Sequence, residues 1–140
     1  MRTSTRYLDG KSFETLIRGH RIVCDQPTSE GGADAGVTPP ELLLASLGAC
    51  AGHYAAEYLR ARSLALAGLA IYVSADKATH PARLASFQID IDCPGVVGDK
   101  HRQGLLRAVR SCLVHNTLTT SPVIDVSVFD ATPEPSLVLA

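Results

Sequence analysis

The longest uninterrupted helical pattern in the chain begins at Thr38. Thr38 stands at an N-cap position, Pro39 at the first helical position and Glu41 at the third. A threonine and a glutamate three residues later can satisfy each other's free backbone N–H groups, and a proline at the first position gives up no hydrogen bond it could have made. The pattern runs through PPELLLASLGAC to about Arg62, roughly 36 Å of helix, longer than the average globular helix. Along it the side chains thin out. Gly48, Ala49, Ala51 and Gly52 surround Cys50, and each glycine costs about 1 kcal/mol of helix propensity. That loss makes sense if another element packs very close, and the second helix is the first candidate.

Before this helix the sequence reads as strands. RYLDGKSFETLI predicts a β-hairpin on a two-residue Asp9-Gly10 turn, with Phe13, Thr15 and Ile17 on one face. A second turn at Arg18-Gly19-His20 leads to a third strand in RIVCD. Residues 26–38, rich in glycine and turn formers, form a loop. After the helix, LAIYVSAD and LASFQIDID alternate as strands do. In the second, Phe87, Ile89, Ile91 and Cys93 share one face, and Gln88, Asp90 and Asp92 the other. DKHRQGLLRAVRSCLV, from 99 to about 114, repeats Leu105, Leu106, Val109, Cys112 and Leu113 at helical spacing. VIDVSVF predicts a last strand with Ile124, Val126 and Val128 facing one way, and the tail ATPEPSLVLA reads as loosely attached. Strands come in antiparallel runs and not in regular strand–helix alternation, so the class is α+β.

A chain of 140 residues suits a single domain, residues 1–140, that buries about two-thirds of its unfolded surface. A formal net charge of −1 attracts neither nucleic acid nor an anionic membrane. MRTSTRYLDG lacks the apolar run of a signal peptide. The longest apolar run, residues 42–56, includes His53 and falls short of the about 20 residues that span a bilayer. The expected location is cytoplasmic, where the four cysteines are thiols by default and a disulfide is transient.

Cys24 and Cys93 fall at strand positions consistent with a core, an ordinary place for a free cysteine. Cys50 and Cys112 differ. Each is expected on a helix with a histidine three residues later, His53 and His115, and positions three apart are neighbours on a helix. The two cysteines fill tight spaces between packed helices, or face each other, or join the two histidines in a tetrahedral zinc site. A histidine beside a thiol either stabilises its thiolate when protonated or serves as a packing or capping residue.

DQPTSEGGADAGVTPPELLLASLGAC and SCLVHNTL together carry a resemblance. A glycine-rich loop, a proline–acid helix start, a small-residue run ending in cysteine, and a second cysteine before His-Asn-Thr-Leu resemble the OsmC/Ohr group, the osmotically inducible and organic-hydroperoxide-resistance proteins. The likeness covers roughly residues 13–129. Leu113, where family members often carry proline, points to an OsmC-like branch. The resemblance implies N-terminal antiparallel strands, a long central helix, further strands and a second helix, in an intertwined homodimer with active sites at the subunit interface. It also implies a thiol peroxidase without cofactor or metal. Cys50 matches the peroxidatic cysteine and Cys112 the resolving one, the substrate is an organic hydroperoxide, and an external dithiol is the reductant. Glu41 matches by motif the glutamate that acts with an arginine to activate the first cysteine. The family takes that arginine from its N-terminal strands, where Arg6, Arg18 and Arg21 are the candidates. Nine residues of straight helix at about 100° each put Glu41 opposite Cys50, so closing the capping box with Thr38 is its other role. A further reading keeps the fold without the chemistry, as a module binding an apolar ligand at the dimer interface.

Overall fold

The structure, a computed structural model, describes residues 1–96 and 98–129. Three N-terminal strands, β1 (Ser4–Tyr7), β2 (Phe13–Ile17) and β3 (His20–Cys24), form an antiparallel sheet in that order. Tyr7 pairs with Phe13 and Arg6 with Glu14, so the connection runs from Leu8 to Ser12 and the expected two-residue turn is corrected. Ser12 N–H donates to the Asp9 carbonyl at 2.7 Å, and Gly10 takes the left-handed φ of 48° that the bend requires. The sheet shields an unexpected side chain. Phe13 is 43% exposed, while Glu14 is only 2% exposed. Arg6 on β1 and Arg21 on β3 close over the Glu14 carboxylate as ion pairs and tie the three strands together.

Asp25 follows β3 and fastens the glycine-rich loop. Its carboxylate accepts from the backbone N–H groups of Gln26 (2.8 Å), Ala33 (3.0 Å) and Ala35 (3.1 Å). These donors, Ala35 first, hold the buried carboxyl below the usual carboxylate range. The glycines here allow contact with backbone. A Cβ at Gly32 would lie 1.9 Å from the Gln26 carbonyl oxygen, and one at Gly36 would lie 2.2 Å from that of Val23.

The long helix, α1, spans Pro39–Arg60 and starts as expected. Glu41 N–H donates to Thr38 Oγ1 at 3.4 Å, and Thr38 N–H to Glu41 Oε2 at 2.8 Å. Next comes an antiparallel hairpin of β4 (Ala70–Thr79) and β5 (Ala82–Asp92). Its inner face carries Phe87, Ile89 and Ile91, while Gln88, Asp90 and Asp92 are exposed. A bulge interrupts the register between Ser74 and Asp76.

The single helix expected over 99–114 is corrected to two, α2 (Asp99–Arg110) and α3 (Leu113–Thr119). Ser111 closes α2 locally, its hydroxyl donating to the Ala108 carbonyl at 2.7 Å. Cys112 then takes extended backbone (φ −68°, ψ 146°) as the N-cap of α3. The apolar period survives a two-residue break at Ser111 and Cys112, so spacing alone did not reveal it. The strand expected in VIDVSVF is also corrected: residues 121–129 form none. Ile124, Val126 and Val128 are 79%, 88% and 93% exposed. Alternation makes a strand only where an edge pairs with it, and no described strand of this chain does so. The tail, residues 131–140, lies outside the described residues.

The core forms where α1, α2 and the hairpin meet, around Ala51, Ala55, Leu59, Leu105 and Val109. The small residues of α1 serve two neighbours, not the second helix alone. A Cβ at Gly48 would lie 3.3 Å from Val73 Cγ2 and one at Gly52 3.5 Å from Ile71 Cγ1, so the glycines face β4. Ala51 and Ala55, both fully buried, share their cluster with Leu105 and Val109 of α2. On α2, Gly104 makes room for Tyr58: a Cβ there would lie 2.0 Å from the tyrosine oxygen. Arg62 stacks 3.8 Å above the Tyr58 ring, and the hydroxyl reaches His101 Nδ1 at 3.4 Å.

Alanine is the better helix former by about 1 kcal/mol. Gly104→Ala should nevertheless lower the melting temperature, because overpacking costs about 1–3 kcal/mol. A raised melting temperature would show that Tyr58 swings aside freely. Asp25→Asn tests the loop anchor. The depressed native pKa of Asp25 means that its stabilisation is complete above the unfolded value of about 3.9 and is lost as pH falls through the native value. The melting-temperature gap between wild type and Asp25→Asn should therefore hold from neutrality to about pH 5 and close below about pH 4.

Candidate thiol site

Cys50 rides on α1 one turn after Leu47 and directly before Ala51, both buried, and is itself half-buried. Cys112 enters from the α2–α3 junction and is fully buried. The Cys50 side chain lies close enough to the Cys112 sulfur to bear on its protonation, and both are free thiols. As an N-cap, Cys112 turns its sulfur back over α3, where it accepts the His115 N–H at 3.3 Å. Burial pushes the Cys112 thiol up, the His115 N–H opposes the rise, and the neighbouring Cys50 adds to it. Cys112 therefore keeps its proton at neutral pH. A half-exposed thiol beside a sealed, protonated one can be oxidised from solvent and then closed by its neighbour.

The other residues singled out in the sequence are placed as follows. Glu41 is exposed at the start of α1, about 13 Å of helix before Cys50. Its carboxylate accepts from the N–H and the hydroxyl of Thr38, which hold it below the usual range. Arg6 and Arg21 converge on Glu14, and Arg21 chiefly depresses that carboxyl. Arg18 lies in the β2–β3 turn with a left-handed φ of 55°. His53 is exposed and meets the Tyr54 ring edge-on. Among the described residues no three His, Cys, Asp or Glu side chains stand together as a metal set, so the two Cys-x-x-His pairs do not converge into a zinc site. The break at Ser111 is the reason on the second pair: it brings the backbone N–H of His115 to the sulfur.

Sequence reasoning missed Glu14, Asp25 and the capping role of Cys112. Glu14 stood at an outward position of an alternating strand, and only the cross-strand register shows two arginines around it. A cysteine is not a usual N-cap, so nothing marked Cys112 as one. A cavity of about 730 Å3 also adjoins the site, between the hairpin and α2–α3, with Leu47, Val109 and His115 in its wall.

An α+β fold with this order of strands and helices belongs to a known class. The sequence matches the family described as OsmC-like protein over residues 31–127, and the chain belongs to that family. Among solved structures, an OsmC-like protein from Mycoplasma pneumoniae aligns with a TM-score of 0.75 at 18% identity, over 86% of this chain and 87% of that one. A Psychrobacter arcticus protein assigned to the osmotic stress and detoxification response gives 0.75 at 20% identity, over 82% and 85%. An organic hydroperoxide resistance protein OsmC from Legionella pneumophila, described as a predicted redox protein, gives 0.61 at 15% identity, over 86% and 90%. At these identities the likeness establishes the fold. Among curated proteins, none matches the sequence. Among the described residues, no helix is long and apolar enough to cross a membrane.

Alkylation with iodoacetamide followed by mass mapping checks the burial of Cys112. In the reduced, folded protein Cys112 should remain unlabelled at about pH 8 and react only well above the ordinary thiol value of about 8.5, or on unfolding. Labelling at about pH 8 as fast as in an unfolded control would show that the sulfur is not sealed.

Proposed function

We propose that this chain is a thiol-dependent peroxidase that reduces organic hydroperoxides through Cys50 and Cys112. The placement of a half-exposed Cys50 beside a sealed Cys112, one on α1 and the other at the α2–α3 junction, carries this reading. The Cys50 thiolate attacks the distal peroxide oxygen. The S–O bond forms, the O–O bond breaks, and the alkoxide takes up a proton to leave as an alcohol. Cys112 then attacks the sulfenic sulfur of Cys50. The S–S bond forms, and the Cys112 proton leaves with the hydroxyl as water. An external dithiol reduces the disulfide through two exchanges and departs oxidised. The name of the Legionella neighbour supports the substrate class.

In this reading the protein works as an intertwined homodimer. Phe13, Leu16, Tyr72 and the apolar residues of 123–129 are exposed, more than a lone soluble chain usually leaves open. The unpaired, alternating segment 123–129 is suited to complete a sheet in a second copy. Glu41 is too far along its own helix to touch Cys50, so any part it takes in activation is played across the subunit interface.

Treating the reduced protein with an equimolar organic hydroperoxide should remove two free thiols per chain and yield a Cys50–Cys112 disulfide. Cys50→Ser should consume no peroxide, and Cys112→Ser should stop at a Cys50 sulfenic acid that overoxidises. Unmodified thiols in the wild type would leave the fold without this chemistry, and an oxidised Cys112 beside an intact Cys50 would reverse the roles. Sedimentation at micromolar concentration should show a dimer; a stable monomer would remove the intertwined assembly.

A further inference from the structure

The cavity beside the thiols has features that the peroxidase reading leaves unused. Its volume, about 730 Å3, lies within the range of about 300–1,000 Å3 common to small-molecule sites. Phe87, Ile89, Leu106 and Leu118 give it an apolar wall. His115 also lines it, and the His115 Nδ1 is buried without a hydrogen-bond partner. Buried polar atoms are nearly always paired, so an orphaned one calls for a missing partner. Arg110, at the end of α2, lines the same cavity, is exposed, and makes no ion pair among the described residues. The opposite wall carries the β-bulge. There Ser86, a non-glycine residue, holds a left-handed φ of 51° beside the register shift at Asp76. Bulges and left-handed non-glycine residues gather where a strand has been reshaped for a ligand.

We infer that this cavity binds an amphipathic carboxylate: a single anionic head on a medium-length alkyl chain. The Arg110 guanidinium supplies the fixed positive charge and the paired donors that fit a carboxylate. In the tautomer that carries its hydrogen on Nδ1, His115 supplies a second donor and thereby satisfies its orphaned atom. The alkyl chain lies along Phe87, Ile89, Leu106 and Leu118. Asp76, on the strand wall, disfavours a ligand with a second anionic end. Neither cysteine lines the cavity, so the site stands whether or not the thiols turn over. The two sites are nevertheless adjacent, because the His115 backbone N–H holds the Cys112 sulfur.

Calorimetric titration of the reduced wild-type protein, without peroxide, tests the inference with decanoate, decanol and decylamine. Decanoate should bind saturably and about tenfold tighter than either uncharged or cationic analogue, the effect of one charge-assisted contact. Arg110→Gln should weaken decanoate by about tenfold and leave decanol unchanged. Arg107→Gln, an exposed change on α2 outside the cavity, should have no effect. Leu106→Trp should block all three ligands, and Arg110→Gln, a surface change, decides the matter if that variant does not fold. Absence of saturable decanoate binding, equal affinity for the three ligands, or full affinity in Arg110→Gln would each overturn the inference. Because no peroxide is present, these outcomes are distinct from a failure of the thiol chemistry.

Discussion

The close approach of α1 to the elements on either side of it holds this fold together. Gly48 and Gly52 let β4 lie against one side of the helix, and Ala51 and Ala55 let α2 lie against another. Gly104 completes the fit from α2, where no side chain larger than hydrogen leaves room for the Tyr58 hydroxyl. Interiors pack at near-crystalline density, so helix and sheet backbones come this close only where side chains are nearly absent. The propensity lost at the two glycines of α1 is offset by apolar burial at about 25 cal/mol per Å2 of surface removed from water.

The thiol site is a product of that packing. Cys50 lies in the thinnest part of α1, and the chain from α2 turns at Ser111 so that Cys112 meets it. The Cys112 sulfur has two neighbours with opposite effects: the His115 N–H favours its thiolate, and burial beside Cys50 favours its thiol. A neutral thiol can still accept the His115 N–H through a sulfur lone pair. A continuous helix through this point would have satisfied the apolar period equally well and would have left no sulfur at a helix cap.

Charge does the corresponding work at the N-terminal end. A strand and a glycine-rich loop there have few apolar contacts to order them. Glu14 under its two arginines, and Asp25 under its three backbone donors, supply directional bonds instead. Unpaired, either carboxylate would be expensive to bury. Phe13 and Leu16 on that sheet, and the apolar residues of 123–129, are left exposed.

Features governed by neighbours in sequence were legible without coordinates. The capping box of α1 depends on residues three apart, and the inner face of β5 depends on a period of two. The order of strands and helices up to α2, the α+β class, and the choice of Cys50 and Cys112 as the cysteines to examine could be read in the same way. Tertiary structure alone decided the length of the first turn, the break at Ser111, the burial of Glu14, the side to which Gly48 and Gly52 face, and the lack of a strand over 121–129. Each of these depends on which distant backbone or side chain arrives opposite a residue. A local pattern states what a segment can bury or pair; only the assembled chain supplies the surface or edge against which it does so.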